Sequence, residues 1–165
     1  MRSRVLWTIG TGLLIAVAAG CGRGSAASAR VEVPDRLTLY SIDGRDLPPA
    51  VPRPAGETFH DYPVLGKVVV EDPGRRQALI DAFNAGIARS NGELAKCFWP
   101  RHGIRAETGG ATVDYVICFE CLQFVTHRGD QQVEETIDRA PLKAFNEELK
   151  RAGIPLAPSS FGKQE

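Results

Sequence analysis

Three cysteines and a histidine carry the most specific chemistry open to this sequence. Cys97, His102, Cys118 and Cys121 stand in the spacing C-x4-H-x15-C-x2-C. In type and number they are a zinc donor set, three thiolates and an imidazole. Cys118 and Cys121, however, lie inside Tyr115-Val-Ile-Cys-Phe-Glu-Cys-Leu-Gln-Phe124, which reads as one uninterrupted β run. Residues three apart in an extended strand are separated by roughly 10 Å and point to opposite faces. On that reading the two can neither bridge each other, which needs Cα atoms within about 7 Å, nor share one ion. A thioredoxin-type dithiol is not expected either, because that motif opens a helix. Metal or redox chemistry on Cys97, His102, Cys118 and Cys121 therefore stands as an alternative, and no metal or other cofactor is assigned.

A disulfide fits the strand reading better. Gly109-Gly110 between alternating runs is a hairpin turn, and it sets Thr108 opposite Ala111 and Arg105 opposite Asp114. Pro100 interrupts the first strand, and a bulge there shifts the register by one residue. The shift brings Cys97 opposite Cys121, within bridging distance. Cys97–Cys118 and three free thiols remain open alternatives, and unpaired cysteines behave as small buried hydrophobes.

The same register gathers Arg101, Arg105, Asp114, Cys118 and Glu120 on one face of the hairpin. His102, Ile104, Tyr115, Ile117 and Phe119 fall on the other. The charged face could bind an anion through its arginines. The simpler expectation is two exposed cross-strand pairs, Arg105 with Asp114 and Arg101 with Glu120, each worth about 0–1 kcal/mol. His102 is expected as a hydrogen-bonded core histidine. His60 and His127 fall in a loop and near a strand end with no motif around them. The chain has no G-x-S-x-G, H-E-x-x-H or P-loop sequence.

The elements that must position these residues follow from local signals. Strands are expected over Arg36–Ile42, Val64–Glu71, Leu94–Glu107, Thr112–Thr126 and Gln131–Ile137. Asp72-Pro73 opens a helix as N-cap and first helical residue, and Leu79, Ile80, Phe83 and Ile87 give it one apolar stripe. A second helix begins near Pro141, buries Leu142, Phe145 and Leu149, and stops at Gly153 with a Schellman contact from Ile154. Leu47 to Gly56, rich in proline, is loop. The sum is an α+β two-layer sandwich, an antiparallel sheet of about five strands with two helices packed on one face.

Arg2 and Arg4 precede an uncharged run, Val5 to Gly20, that ends Ala18-Ala19-Gly20-Cys21. The ending resembles the bacterial lipobox, with Ala18 where leucine is usual. The resemblance implies a lipoprotein signal peptide over 1–20, lipidation of Cys21 and, with Gly22 following, the periplasmic face of the outer membrane. Residues 21–35 then form the lipidated cysteine and a flexible tether, 36–158 a single domain and 159–165 a frayed tail. Of 165 residues, 43% are hydrophobic and 24% charged, with 20 Lys+Arg against 20 Asp+Glu. That balance gives no basic surplus for nucleic acid and excludes a multi-span membrane chain.

Cys97-Phe-Trp-Pro-Arg-His-Gly-Ile-Arg105, followed by Asp114-Tyr-Val-Ile-Cys-Phe-Glu-Cys121, resembles a group of uncharacterised bacterial lipoproteins of the planctomycete type. The resemblance implies the domain and its lipoprotein address, and it brings no activity. Three functions remain open. The chain is a lipid-anchored, non-catalytic module that binds an envelope protein or polymer. Alternatively it carries a small-ligand or enzymatic site on the Arg101/Arg105/Glu120 face, or a metal or redox site on the cysteines.

Overall fold

The computed structural model describes residues 30–45 and 56–159. Strand β1 spans Arg36–Ile42, β2 Thr58–Phe59, β3 Tyr62–Val69, β4 His102–Thr108, β5 Ala111–Cys118, β6 Gln123–Arg128 and β7 Gln131–Thr136. Helix α1 spans Pro73–Arg89 and α2 Leu142–Arg151. The seven strands form one antiparallel sheet in the order β2-β3-β1-β4-β5-β6-β7, curled into a half-barrel.

Local signals set most of these boundaries. Asp72 caps α1 by accepting the Arg75 N–H at 2.7 Å, with Pro73 at the first turn. At the end of α2, Gly153 takes a φ of 71° and the Ile154 N–H reaches the Leu149 carbonyl at 2.9 Å. Gly109 and Gly110, at φ 56° and 83°, close the β4–β5 hairpin with Thr108 facing Ala111 and Arg105 facing Asp114. Leu79, Ile80 and Phe83 of α1 and Phe145 and Leu149 of α2 join one core with Leu37, Leu39, Ile104, Tyr115, Ile117 and Phe124 of the sheet.

The sheet has seven strands, not about five. The run expected as one strand from Thr112 to Thr126 breaks at Cys118, turns through residues 119–122 and resumes at Gln123 as β6. The strand expected from Leu94 begins only at His102, so Pro100 lies outside the ladder. Every β4–β5 pair from His102↔Ile117 to Thr108↔Ala111 keeps a single register, and the expected bulge is not there. Strand β2 adds a further short element. It lays Phe59 on Tyr40, ring centroids 4.3 Å apart, building a second small core with Ile42 and Val116.

Residues 30–35, expected as tether, are packed. The Val31 N–H donates to Asn84 Oδ1 and Asn84 Nδ2 donates back to the Val31 carbonyl, both at 2.8 Å, while Val31 and Val33 rest on the main core. The expected signal peptide, Cys21, most of the Leu47–Gly56 loop and the tail beyond Ser159 lie outside the described residues.

Gly103 shows how closely β2 approaches. A Cβ there would sit 2.6 Å from Phe59 Cε1. Gly103→Ala should therefore force the ring out of its stack and cost about 1–2 kcal/mol, read as a shifted urea midpoint. An unchanged midpoint would mean that β2 does not hold Phe59 against β4.

Candidate functional site

The turn at 119–122 reorganises the cysteines. Leu122 adopts a left-handed φ of 57°, which reverses the chain and brings the Cα atoms of Cys118 and Cys121 to 5.2 Å. The two form a disulfide. This corrects the expectation that they could not bridge, which rested on a continuous strand. It also corrects the expected Cys97–Cys121 bridge, because Cys121 is already bonded. Cys97 is nevertheless brought to the pair. It is unbridged and half-buried, with its Sγ 3.3 Å from Cys121 Sγ.

The surroundings hold this arrangement in place. Gln123 Nε2 donates to the Cys97 carbonyl and, at 3.4 Å, to that of Ala95, fixing the irregular segment beside the disulfide. Arg139 donates to the carbonyls of Phe119 and Glu120 at 3.2 and 3.1 Å and so ties down the turn. Two backbone N–H groups point at sulfur, Trp99 at Cys121 Sγ (3.4 Å) and Cys121 at Cys118 Sγ (3.1 Å).

His102 does not join the sulfurs. It is 2% exposed, with Nε2 donating to Asn146 Oδ1 at 2.9 Å and its ring edge-on to Phe119 and Phe145. Burial pushes its pKa down to about 4 against the opposing bond to Asn146, so it is neutral at pH 7. The alternative metal set Cys97, His102, Cys118 and Cys121 is not assembled. Among the described residues, no three His, Cys, Asp or Glu side chains are placed to hold an ion.

The charged residues form both expected pairs, but they do not share one exposed face. Arg105 grips Asp114 with two hydrogen bonds of 2.9 and 2.7 Å, its own side chain 41% exposed. Arg101 is buried instead. Its Nη1 donates to Glu120 Oε1 at 2.9 Å, and Nε and Nη2 both donate to the Ala157 carbonyl, at 3.0 and 2.6 Å. Ser159 Oγ donates to the same Glu120 oxygen at 2.8 Å, so the segment after α2 closes over this pair. The expectation of an exposed Arg101–Glu120 pair is corrected accordingly, since a returning C-terminal segment leaves no trace in strand alternation.

Two histidines passed over in the sequence complete the Arg105 end. His60 Nε2 lies 2.8 Å from Asp114 Oδ2, and the His127 ring stacks on His60 with centroids 3.7 Å apart. Burial works to raise Asp114, but Arg105 and His60 outweigh it and hold the carboxyl below its ordinary value. Burial and then the neighbouring His60 lower His127, against the pull of Asp114. His127 was findable. Once the strand is broken at 119–122, it pairs directly with Asp114. His60 was not, because it arrives on a turn in which His60 and Asp61 both take positive φ, 48° and 70°, with no glycine to announce it.

The chain is thus a mixed α+β protein with a curled antiparallel sheet and a three-cysteine cluster where β5 turns into β6. No family model matches it, and comparison with curated proteins and with solved structures gives no match either.

Proposed function

We propose that the protein is a lipid-anchored cell-envelope module, a two-layer α+β domain with a non-catalytic binding or structural role. The observation that carries the address is Ala18-Ala19-Gly20-Cys21 behind a basic start and an uncharged run. The resemblance to planctomycete-type lipoproteins supports it. The lipid then serves as the membrane partner and an envelope protein or polymer as the second, with Gly22 favouring the periplasmic face of the outer membrane.

A binding or structural role agrees with how the charges are used. Arg105 is committed to Asp114, and Arg101 to Glu120 and the Ala157 carbonyl, which weakens the small-ligand reading of that set. Equal numbers of acidic and basic residues leave no basic surplus to attract nucleic acid. Changing Cys21 to Ser should release the protein from the membrane fraction or leave its signal uncut, as seen by fractionation and mass of the N-terminal peptide. Membrane retention with a normally processed N-terminus would overturn the lipoprotein reading.

A further inference from the structure

We propose that Cys97, Cys118 and Cys121 form a thiol–disulfide exchange site in which Cys97 is the port. The half-exposed thiol moves the buried disulfide to the surface, where an external thiol can reach it. This goes beyond the binding role and does not depend on it.

The geometry supplies each part. In the structure the disulfide joins two sulfurs that solvent cannot touch, since Cys118 is 1% and Cys121 0% exposed. An external thiol therefore has no direct approach to either. Cys97 does, because it is half-buried and lines a cleft of about 260 Å³ together with Lys96, Phe98, Val125 and Glu134. Its Sγ lies 3.3 Å from Cys121 Sγ, close enough to attack without a large movement of the chain. Gln123 holds the Cys97 backbone at that distance.

The exchange is neutral in electrons. The Cys97 thiol loses its proton and the thiolate attacks Cys121 Sγ. The Cys121–Cys118 bond breaks as the Cys97–Cys121 bond forms, and Cys118 leaves as a thiolate that takes up one proton. The leaving sulfur is the one that accepts the Cys121 N–H, and the attacked sulfur is the one facing the Trp99 N–H. Hydrogen bonds to a developing thiolate favour it, so the backbone already supports the charge where it appears. The tie from Arg139 to the turn keeps Cys118 in position for the reverse step.

Once the bond is at Cys97–Cys121, one of its two residues, Cys97, lines the cleft. The substrate class is then a thiol, either a low-molecular-weight thiol or a cysteine of an exported polypeptide. Its thiolate attacks Cys97 Sγ and displaces Cys121, giving a mixed disulfide at Cys97. With a dithiol, the second thiol attacks the external sulfur and releases Cys97. One dithiol is oxidised to a disulfide, and the protein disulfide is reduced to two thiols that gain its two protons.

The test uses the full processed protein in detergent, oxidised, with reduced glutathione and a short unstructured dicysteine peptide as separate probes. Samples are quenched in acid, alkylated and mapped by mass spectrometry. In the wild-type protein, alkylation should appear at Cys118 as well as Cys97, and glutathione should be found on Cys97. Cys118→Ser should trap a Cys97–Cys121 bond. Cys97→Ser should slow native reduction by either probe at least about 100-fold, because the disulfide is then reached only by local unfolding. If Cys97→Ser does not fold, native alkylation of Cys97 in the wild-type protein provides the same block. Reaction of the peptide but not glutathione would place polypeptides as the substrate, and the converse would place small thiols. Equal reduction rates with and without a usable Cys97, or two free thiols in oxidised Cys118→Ser, would overturn the proposal.

Discussion

Arg101→Ala is expected to lose about 3–5 kcal/mol of folding stability, the size seen when one partner of a buried ion pair is removed. The Arg101 and Glu120 side chains are 9% and 12% exposed, so solvent replaces little of what the guanidinium provides. Its removal leaves a nearly buried carboxylate with the Ser159 hydroxyl still donating, and takes two donors from the Ala157 carbonyl. Arg105→Ala is the control. That side chain is 41% exposed, so water reaches its end of the pair, and Asp114, itself only 7% exposed, keeps His60, so the loss should be smaller, about 1–2 kcal/mol. Urea unfolding of both variants decides the matter. Similar small losses would mean that the segment around Ala157 does not close over Arg101 in solution.

Acid should destabilise the fold well above the range in which carboxylates titrate. His102 in the unfolded chain takes a proton near pH 6.5, while burial in the folded chain lowers its pKa to about 4. Between these values the unfolded state binds more protons, so stability is complete above about pH 6.5 and falls as the pH drops through that window. The full loss is on the order of 3 kcal/mol, the linkage cost of keeping this imidazole neutral from its ordinary range down to about 4. His127 is lowered too and acts in the same direction. Asp114, also held down, keeps its contribution above the ordinary carboxylate range and loses it only as the pH falls further. Urea midpoints measured from about pH 7 to pH 4.5 should fall steeply in the wild-type protein and less steeply in His102→Gln. Parallel slopes for the two would show that His102 is not held neutral by its site.

The parts of the fold legible in the sequence are those determined within a few residues. Asp72-Pro73, Gly109-Gly110 and Gly153-Ile154 each carry their own backbone preference, and each is found where that preference puts it. The Arg105–Asp114 pair and the core position of His102 follow from counting outward from one hairpin. The turn at 119–122 has no such signal. None of Phe119, Glu120 and Leu122 is a turn residue, and the left-handed Leu122 directly follows a segment held by the disulfide and by the Arg139 tie. Local preference is overridden there by contacts from distant parts of the chain, and the cysteine cluster depends on that override. The same is true of His60, carried to Asp114 by a turn with two non-glycine residues at positive φ.

The position of β1 has a consequence for the order of assembly. Among the described residues it is the first strand, and it lies third in the sheet, between β3 and β4, with six of its seven residues buried. Leu39 faces Val68 on one side and Ile104 on the other, so one of its two ladders waits for chain that follows α1. The β4–β7 hairpins need only near neighbours and can zip early, whereas closing β1 into the sheet requires a long loop to shut. A chain delivered N-terminus first would therefore hold an apolar strand without its second partner until β4 emerged. That interval is when a holding chaperone would matter most, and when an unpaired β1 would be most prone to pair with another copy of itself.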